Sequence, residues 1–89
     1  MEAIRVLIVD DHAVFADALA TILRTEADIE VVGKGGTVQE AINAARALGP
    51  DVVLLDVHMP DGGGQAVLAG VGADAPSTRF LALSVSGAA

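Results

Sequence analysis

Residues 52–64 read VVLLDVHMPDGGG. Val52, Val53, Leu54 and Leu55 form an apolar run without polar alternation, as expected of a strand buried on both faces. The run ends at Asp56, and Met59-Pro60 and Gly62 to Gly64 follow. Pro60 sets a turn, and the glycines permit a close approach of chain and ligand that side chains would block. A strand end is where a rigid sheet delivers a side chain to solvent, so Asp56 is the first candidate for chemistry.

Outward from this stretch, strands and helices alternate. IRVLIV (4–9) is a β-branched apolar run and reads as a buried strand. In the next segment Val14, Ala18 and Ile22 recur at helical spacing, with Phe15, Leu19 and Leu23 beside them, and Asp11 is placed to cap the helix. IEVVG (29–33) is a second strand. Thr37 and Glu40 form a capping box for a second helix with Val38, Ala41, Ile42 and Ala45 inward, ended by Gly49 and Pro50. A glycine-rich third helix is expected over about 64–71, a loop over 70–78, and a fourth strand over 79–84 (RFLALS). This alternation predicts a parallel sheet with right-handed crossovers. With the first strand central, the order is 2-1-3-4, and a crevice opens between the C-terminal ends of strands 1 and 3.

Three carboxylates are then expected at that crevice. Asp10 and Asp11 end strand 1 and Asp56 ends strand 3, and parallel neighbours lie about 4.8 Å apart. Crowded carboxylates repel one another, and a hard divalent cation such as Mg²⁺ relieves the conflict. A carboxylate beside a metal suits phosphoryl transfer through an aspartyl-phosphate. Ser84, at the end of strand 4, sits on the same edge, where its hydroxyl could donate to a phosphoryl oxygen. Each feature also has an ordinary reading: Asp11 as a helix cap, Ser84 as a strand-terminal polar residue, His12 as a partly exposed residue of the first helical turn. The conjunction carries the argument.

Composition narrows the rest. The 89 residues suit one domain. With no cysteine and two histidines, disulfides are excluded and a zinc site is not expected. The net charge is -7, and the five basic residues are scattered, so this chain alone should not bind nucleic acid. No transmembrane run or signal peptide is recognisable, and a cytoplasmic location is expected.

VLIVDDH (6–12), LLDVHMPDGGG (54–64) and LALSVS (81–86) resemble the receiver domain of two-component response regulators, in the branch usually fused to a LuxR-type helix-turn-helix. The resemblance covers nearly the whole chain, so residues 1–89 are read as one receiver domain. It implies a flavodoxin-like α/β fold in which Asp56 accepts a phosphoryl group from a phosphohistidine on a sensor histidine kinase. It also implies that Asp10, Asp11 and Asp56 hold Mg²⁺ together with the His58 backbone carbonyl, and that Ser84 is the switch hydroxyl. The output, such as transcription, would act on DNA only through a domain absent from this chain. The phosphoryl transfer is self-catalysed, so the chain is a signalling phosphoacceptor and not an enzyme in the usual sense.

The chain departs from the family pattern after strand 4. Helix 4, strand 5 and helix 5 have no counterpart, nor does the strand-5 lysine, so a truncated receiver is expected. Lys34, the sole lysine, is not expected to substitute for it. Val85 stands where the family often has a smaller residue, which would narrow access to the phosphoryl site. A phosphorylation-independent interaction module with a receiver-like fold is the alternative reading. A haloacid dehalogenase-like phosphatase would need a second Asp two residues after the first, where this chain has His58. Strand 4 is apolar and proline-free with one charge, Arg79, and as an edge it favours self-association.

Overall fold

A computed structural model of the chain describes residues 3–56, 63–72 and 77–83. Four strands, β1 (Ile4–Val9), β2 (Ile29–Gly35), β3 (Val52–Asp56) and β4 (Arg79–Leu83), alternate with three helices, α1 (Ala13–Leu23), α2 (Val38–Leu48) and α3 (Gly63–Gly72). All strand pairs are parallel and the sheet order is β2-β1-β3-β4, as the alternation predicts for a flavodoxin-like sheet. β2 runs two residues further than its apolar segment, and α3 extends one residue beyond the expected 64–71 at each end, to Gly63 and Gly72. β4 is described to Leu83; Ser84 and Val85 lie outside the described residues.

The two faces of the sheet bury alternate residues of the same strands. Leu7, Val9, Val53 and Leu55 pack with Ala41 and Ala45 of α2 and Val67 and Val71 of α3. Val6, Ile8 and Leu54 face Ala16 and Ala20 of α1. The doubly covered segments Val6–Val9 of β1 and Val52–Leu55 of β3 are therefore continuous apolar runs, with Arg5 and Asp56 at their ends.

Helix α1 is rotated relative to one of the stripes expected from its spacing. Val14 is 85% exposed and Ile22 63% exposed, while Ala16 and Ala20 are buried. Ala18 is also exposed, whereas Phe15, Leu19 and Leu23 are half-buried. The helix is apolar nearly all round, so periodicity alone leaves its azimuth open. The small side chains of Ala16 and Ala20 let the helix axis approach the sheet, and Leu19 and Leu23 wedge in beside them. Asp11 does not cap α1. The N-cap is His12, without a side-chain hydrogen bond, and the Asp10 carboxylate instead accepts from the His12 backbone N–H at 2.8 Å.

Helix α2 begins as its capping box requires. The Glu40 N–H donates to the Thr37 hydroxyl at 3.1 Å, but the Glu40 carboxylate reaches the N–H of Gly36 at 2.8 Å, one residue before Thr37. Gly49 ends the helix with φ +56°, a left-handed conformation that costs glycine little. At the same pole Asp51 ties the strand starts together. Its carboxylate accepts from the Arg5 N–H at 2.9 Å, its N–H donates to the Arg5 carbonyl, and its carbonyl accepts from the Arg79 N–H.

On the α1 side, that helix lies over β1 and β2. Leu81, which pairs with Leu54, is 56% exposed on the outer strand of the described sheet. No helix among the described residues is long and apolar enough to cross a membrane.

Gly35 is the tightest joint near the C-terminal edge of the sheet. A Cβ there would lie 3.0 Å from the Ala41 N and 3.1 Å from its Cα, both fixed in the first turn of α2. The Gly35 carbonyl also accepts from the Asp10 N–H at 3.0 Å. Gly35→Ala is therefore expected to lower the unfolding free energy by about 1–2 kcal/mol, because helix backbone cannot yield as a side-chain tip can. Urea denaturation followed by circular dichroism measures it, and an unchanged midpoint would show that α2 shifts freely.

Candidate functional site

The parallel pairing of β1 with β3 aligns Val9 with Leu55. The next residue in each strand, Asp10 and Asp56, therefore emerges at the same sheet edge. Both are 5% exposed, and they are the two polar residues buried among the described ones. Asp11 follows Asp10 and is more open. One oxygen from each of Asp10, Asp11 and Asp56 and a ring nitrogen of His12 lie within 4.8 Å of one another.

His12 belongs to this cluster, which the sequence reading did not anticipate. Its Nδ1 stands 3.2 Å from Asp10 Oδ1, 3.1 Å from Asp11 Oδ1 and 3.9 Å from Asp56 Oδ2. Its backbone is pinned on both sides, by its N–H on Asp10 and by its carbonyl, which accepts from the Ala16 N–H at 3.0 Å. Its side chain is otherwise open to solvent, 69% exposed. The available signal was its place directly after two acids at the start of a helix.

Beside the cluster opens a pocket of about 260 Å³ whose walls include Asp10, Asp11, Asp17, Lys34, Gly36 and Glu40. Lys34 lies within β2 rather than after it, and its ammonium is bound by the Asp17 carboxylate of α1. The expected sites His58 and Ser84, with Met59, Pro60 and Gly62, lie outside the described residues. Gly63, at the start of α3, has φ +56°.

Chemically, the edge offers buried carboxylate oxygens close enough to share one cation, on strands held rigid by pairing on both sides. Like charges about 5 Å apart repel by about 3 kcal/mol at an effective dielectric constant of about 20. The expected consequence is that Asp56→Asn raises the unfolding free energy by about 1–3 kcal/mol in chelator-treated buffer. Paired urea melts with and without EDTA check this, and a destabilised variant would show that the Asp56 charge is satisfied within the fold.

The family model for the response regulator receiver domain matches residues 6–89. The response regulator protein VraR of Staphylococcus aureus is 40% identical over 81 residues, which make up 91% of this chain and 39% of VraR. The signal receiver domain of NarL from Mycobacterium tuberculosis superposes with a TM-score of 0.84 at 34% identity, covering 92% of this chain and 66% of that one. RcsB from Salmonella enterica serovar Typhimurium, solved bound to promoter rprA in the presence of phosphomimetic BeF3-, superposes with a TM-score of 0.80 at 25% identity, covering 91% of this chain and 42% of RcsB. The chain thus spans about two fifths of VraR and of RcsB.

Proposed function

The chain belongs to the response regulator receiver domain family, and from that premise we propose that residues 1–89 act as a phosphoacceptor that takes a phosphoryl group onto Asp56 from a sensor histidine kinase. The observation that carries this reading is the meeting of Asp10, Asp11 and Asp56 at one buried sheet edge. An Asp56 carboxylate oxygen attacks the phosphorus of the kinase phosphohistidine. A P–O bond forms, the P–N bond breaks, and its electron pair returns to the imidazole nitrogen. Asp10, Asp11 and Asp56 would hold Mg²⁺, with the His58 carbonyl as a further ligand. Their oxygens lie within 4.8 Å of one another, close to the spacing of about 3–4.2 Å that ligands about 2.1 Å from one metal would take. When bound, the ion offsets the charge that spreads over the phosphoryl oxygens.

The acyl phosphate adds charge and three acceptor oxygens at Asp56, and Ser84 is the hydroxyl assigned to meet them. The transfer is self-catalysed and its product is a signal. RcsB has been solved on a promoter; for this chain, control of transcription would pass through a separate DNA-binding domain. A cytoplasmic location fits a kinase-fed phosphoacceptor.

Intact mass spectrometry after incubation with acetyl phosphate and Mg²⁺ tests the reading. One phosphoryl group is expected, lost in Asp56→Asn. Labelling should be slow, because the chain's one lysine is engaged by Asp17 and not free to stabilise the transferring group. Equal labelling of Asp56→Asn would move the acceptor elsewhere. No labelling at all would favour an interaction module that works without phosphate.

Self-association belongs to the same reading. Leu81 on β4, with Val52 and Leu83 partly buried beside Leu54, forms an apolar strip at the outer strand of the described sheet. Light scattering coupled to gel filtration should show a mass that rises with concentration, and Leu81→Lys should lower it. A concentration-independent monomer would exclude this edge as an interface.

A further inference from the structure

We infer that Glu40, on α2, is a positioning residue for Asp10, acting through the single peptide group that joins Gly35 to Gly36. The inference rests on the reading that Asp10 helps to hold a cation, and it deepens that reading by naming what keeps Asp10 in place from outside the acid cluster.

Asp10 lies one residue beyond the last pair that β1 makes with β3, Val9 with Leu55. On the β2 side its N–H donates to the Gly35 carbonyl at 3.0 Å, one step past the pair of Val9 with Gly35. The N–H of the same peptide group, on Gly36, donates to Glu40 Oε1 at 2.8 Å. One rigid plane therefore carries both bonds, its oxygen turned to Asp10 and its N–H to Glu40. A Cβ on Gly36 would lie 3.5 Å from Glu40 Oε1 and 3.8 Å from the Asp10 carbonyl oxygen, so this stretch of backbone stands between the two residues.

The plane is soft by sequence. Glycine on both sides removes the Cβ clashes that limit backbone rotation, so the 35–36 peptide flips more easily than one between other residues. A flip would withdraw the carbonyl from the Asp10 N–H. Glu40 opposes it with a charge-assisted bond, and the same bond polarises the peptide and makes its carbonyl a better acceptor. Glu40 is itself fixed at its base, where its N–H donates to the Thr37 hydroxyl at 3.1 Å. In the usual capping box the acid returns to the N–H of the cap residue, here Thr37. Glu40 instead reaches one residue further, to Gly36, and that displacement is what connects α2 to Asp10.

Two plainer roles compete. Glu40 could be a helix cap and nothing more, or a negative charge on the pocket wall it shares with Asp10 and Asp11. A cap predicts that Glu40→Ala and Thr37→Ala act alike. A charge predicts that Glu40→Gln is as harmful as Glu40→Ala. A positioning residue predicts that Gln, which keeps an acceptor oxygen, rescues the site.

Amide hydrogen exchange by NMR and Mg²⁺ titration of the full chain separate the three, using wild type, Glu40→Ala, Glu40→Gln and Thr37→Ala. Glu40 is exposed, so its substitution leaves the core intact. Exchange at the Asp10 N–H is read relative to the Ile8 N–H within β1, which removes any change in global stability. In Glu40→Ala that ratio is expected to rise about three- to tenfold, and in the other two variants by less than about twofold. Mg²⁺ affinity should fall roughly three- to tenfold in Glu40→Ala, less than for a direct partner of a ligand because Glu40 acts through one peptide, and by less than about twofold in the others. An unchanged Asp10 ratio or an unchanged Mg²⁺ affinity in Glu40→Ala overturns the inference. So does a Thr37→Ala variant that matches Glu40→Ala, which leaves a cap, or a Glu40→Gln variant that matches it, which leaves a charge. If wild type binds no Mg²⁺, the cation reading falls, and the Asp10 ratio alone decides whether Glu40 holds Asp10.

Discussion

The pairing of β1 with β3 is the constraint on which the rest depends. Four consecutive residue pairs, from Val6 and Val52 to Val9 and Leu55, fix the relative height of the two strands. Because side chains alternate across a sheet, a slip of β3 by one residue against β1 would turn Val53 and Leu55 away from the core they share with Leu7 and Val9. Burial on both faces thus locks the register, and the register in turn sets Asp10 beside Asp56. The cost of holding two carboxylates at 5% exposure is offset by the apolar packing on both faces of these strands, which a shift would disrupt.

Around that pair the helices are brought close by small residues. Ala16 and Ala20 lie under α1, and Ala41 and Ala45 lie under α2. Where the chain turns from β2 into α2, Gly35 admits the first turn of the helix at near-contact distance and passes its carbonyl to the Asp10 N–H. The opposite pole is tied by a different device, the Asp51 side chain and backbone bridging Arg5 and Arg79. One end of the sheet is therefore tied by Asp51, while the two buried carboxylates, Asp10 and Asp56, stand at the other end.

Much of this was legible in sequence. Val52–Leu55 and Val6–Val9 are apolar without alternation, as expected of a doubly covered strand, and Thr37-x-x-Glu40 marks the start of α2 at the residue observed. Element order, parallel pairing and the convergence of Asp10, Asp11 and Asp56 follow from those patterns. The reading faltered where local pattern is degenerate. In α1, Val14, Ala18 and Ile22 keep a helical period as good as that of Ala16 and Ala20, and only the distance between helix and sheet decides which line is buried. Near Gly63, glycine is poor evidence for or against a helix, because its left-handed φ serves a helix start as well as a loop.

By itself, then, the sequence determined the strand and helix order, the central place of β1 and β3, and the acids at their ends, because burial periodicity and strand-end position are local properties. Tertiary structure decided which face of α1 meets the sheet, that Lys34 is held by Asp17, and that the His12 ring turns toward three carboxylates rather than away from them. These are azimuths and rotamers. They are fixed by what stands across the gap from a residue, on elements far from it in the chain, and no spacing within a helix carries that information.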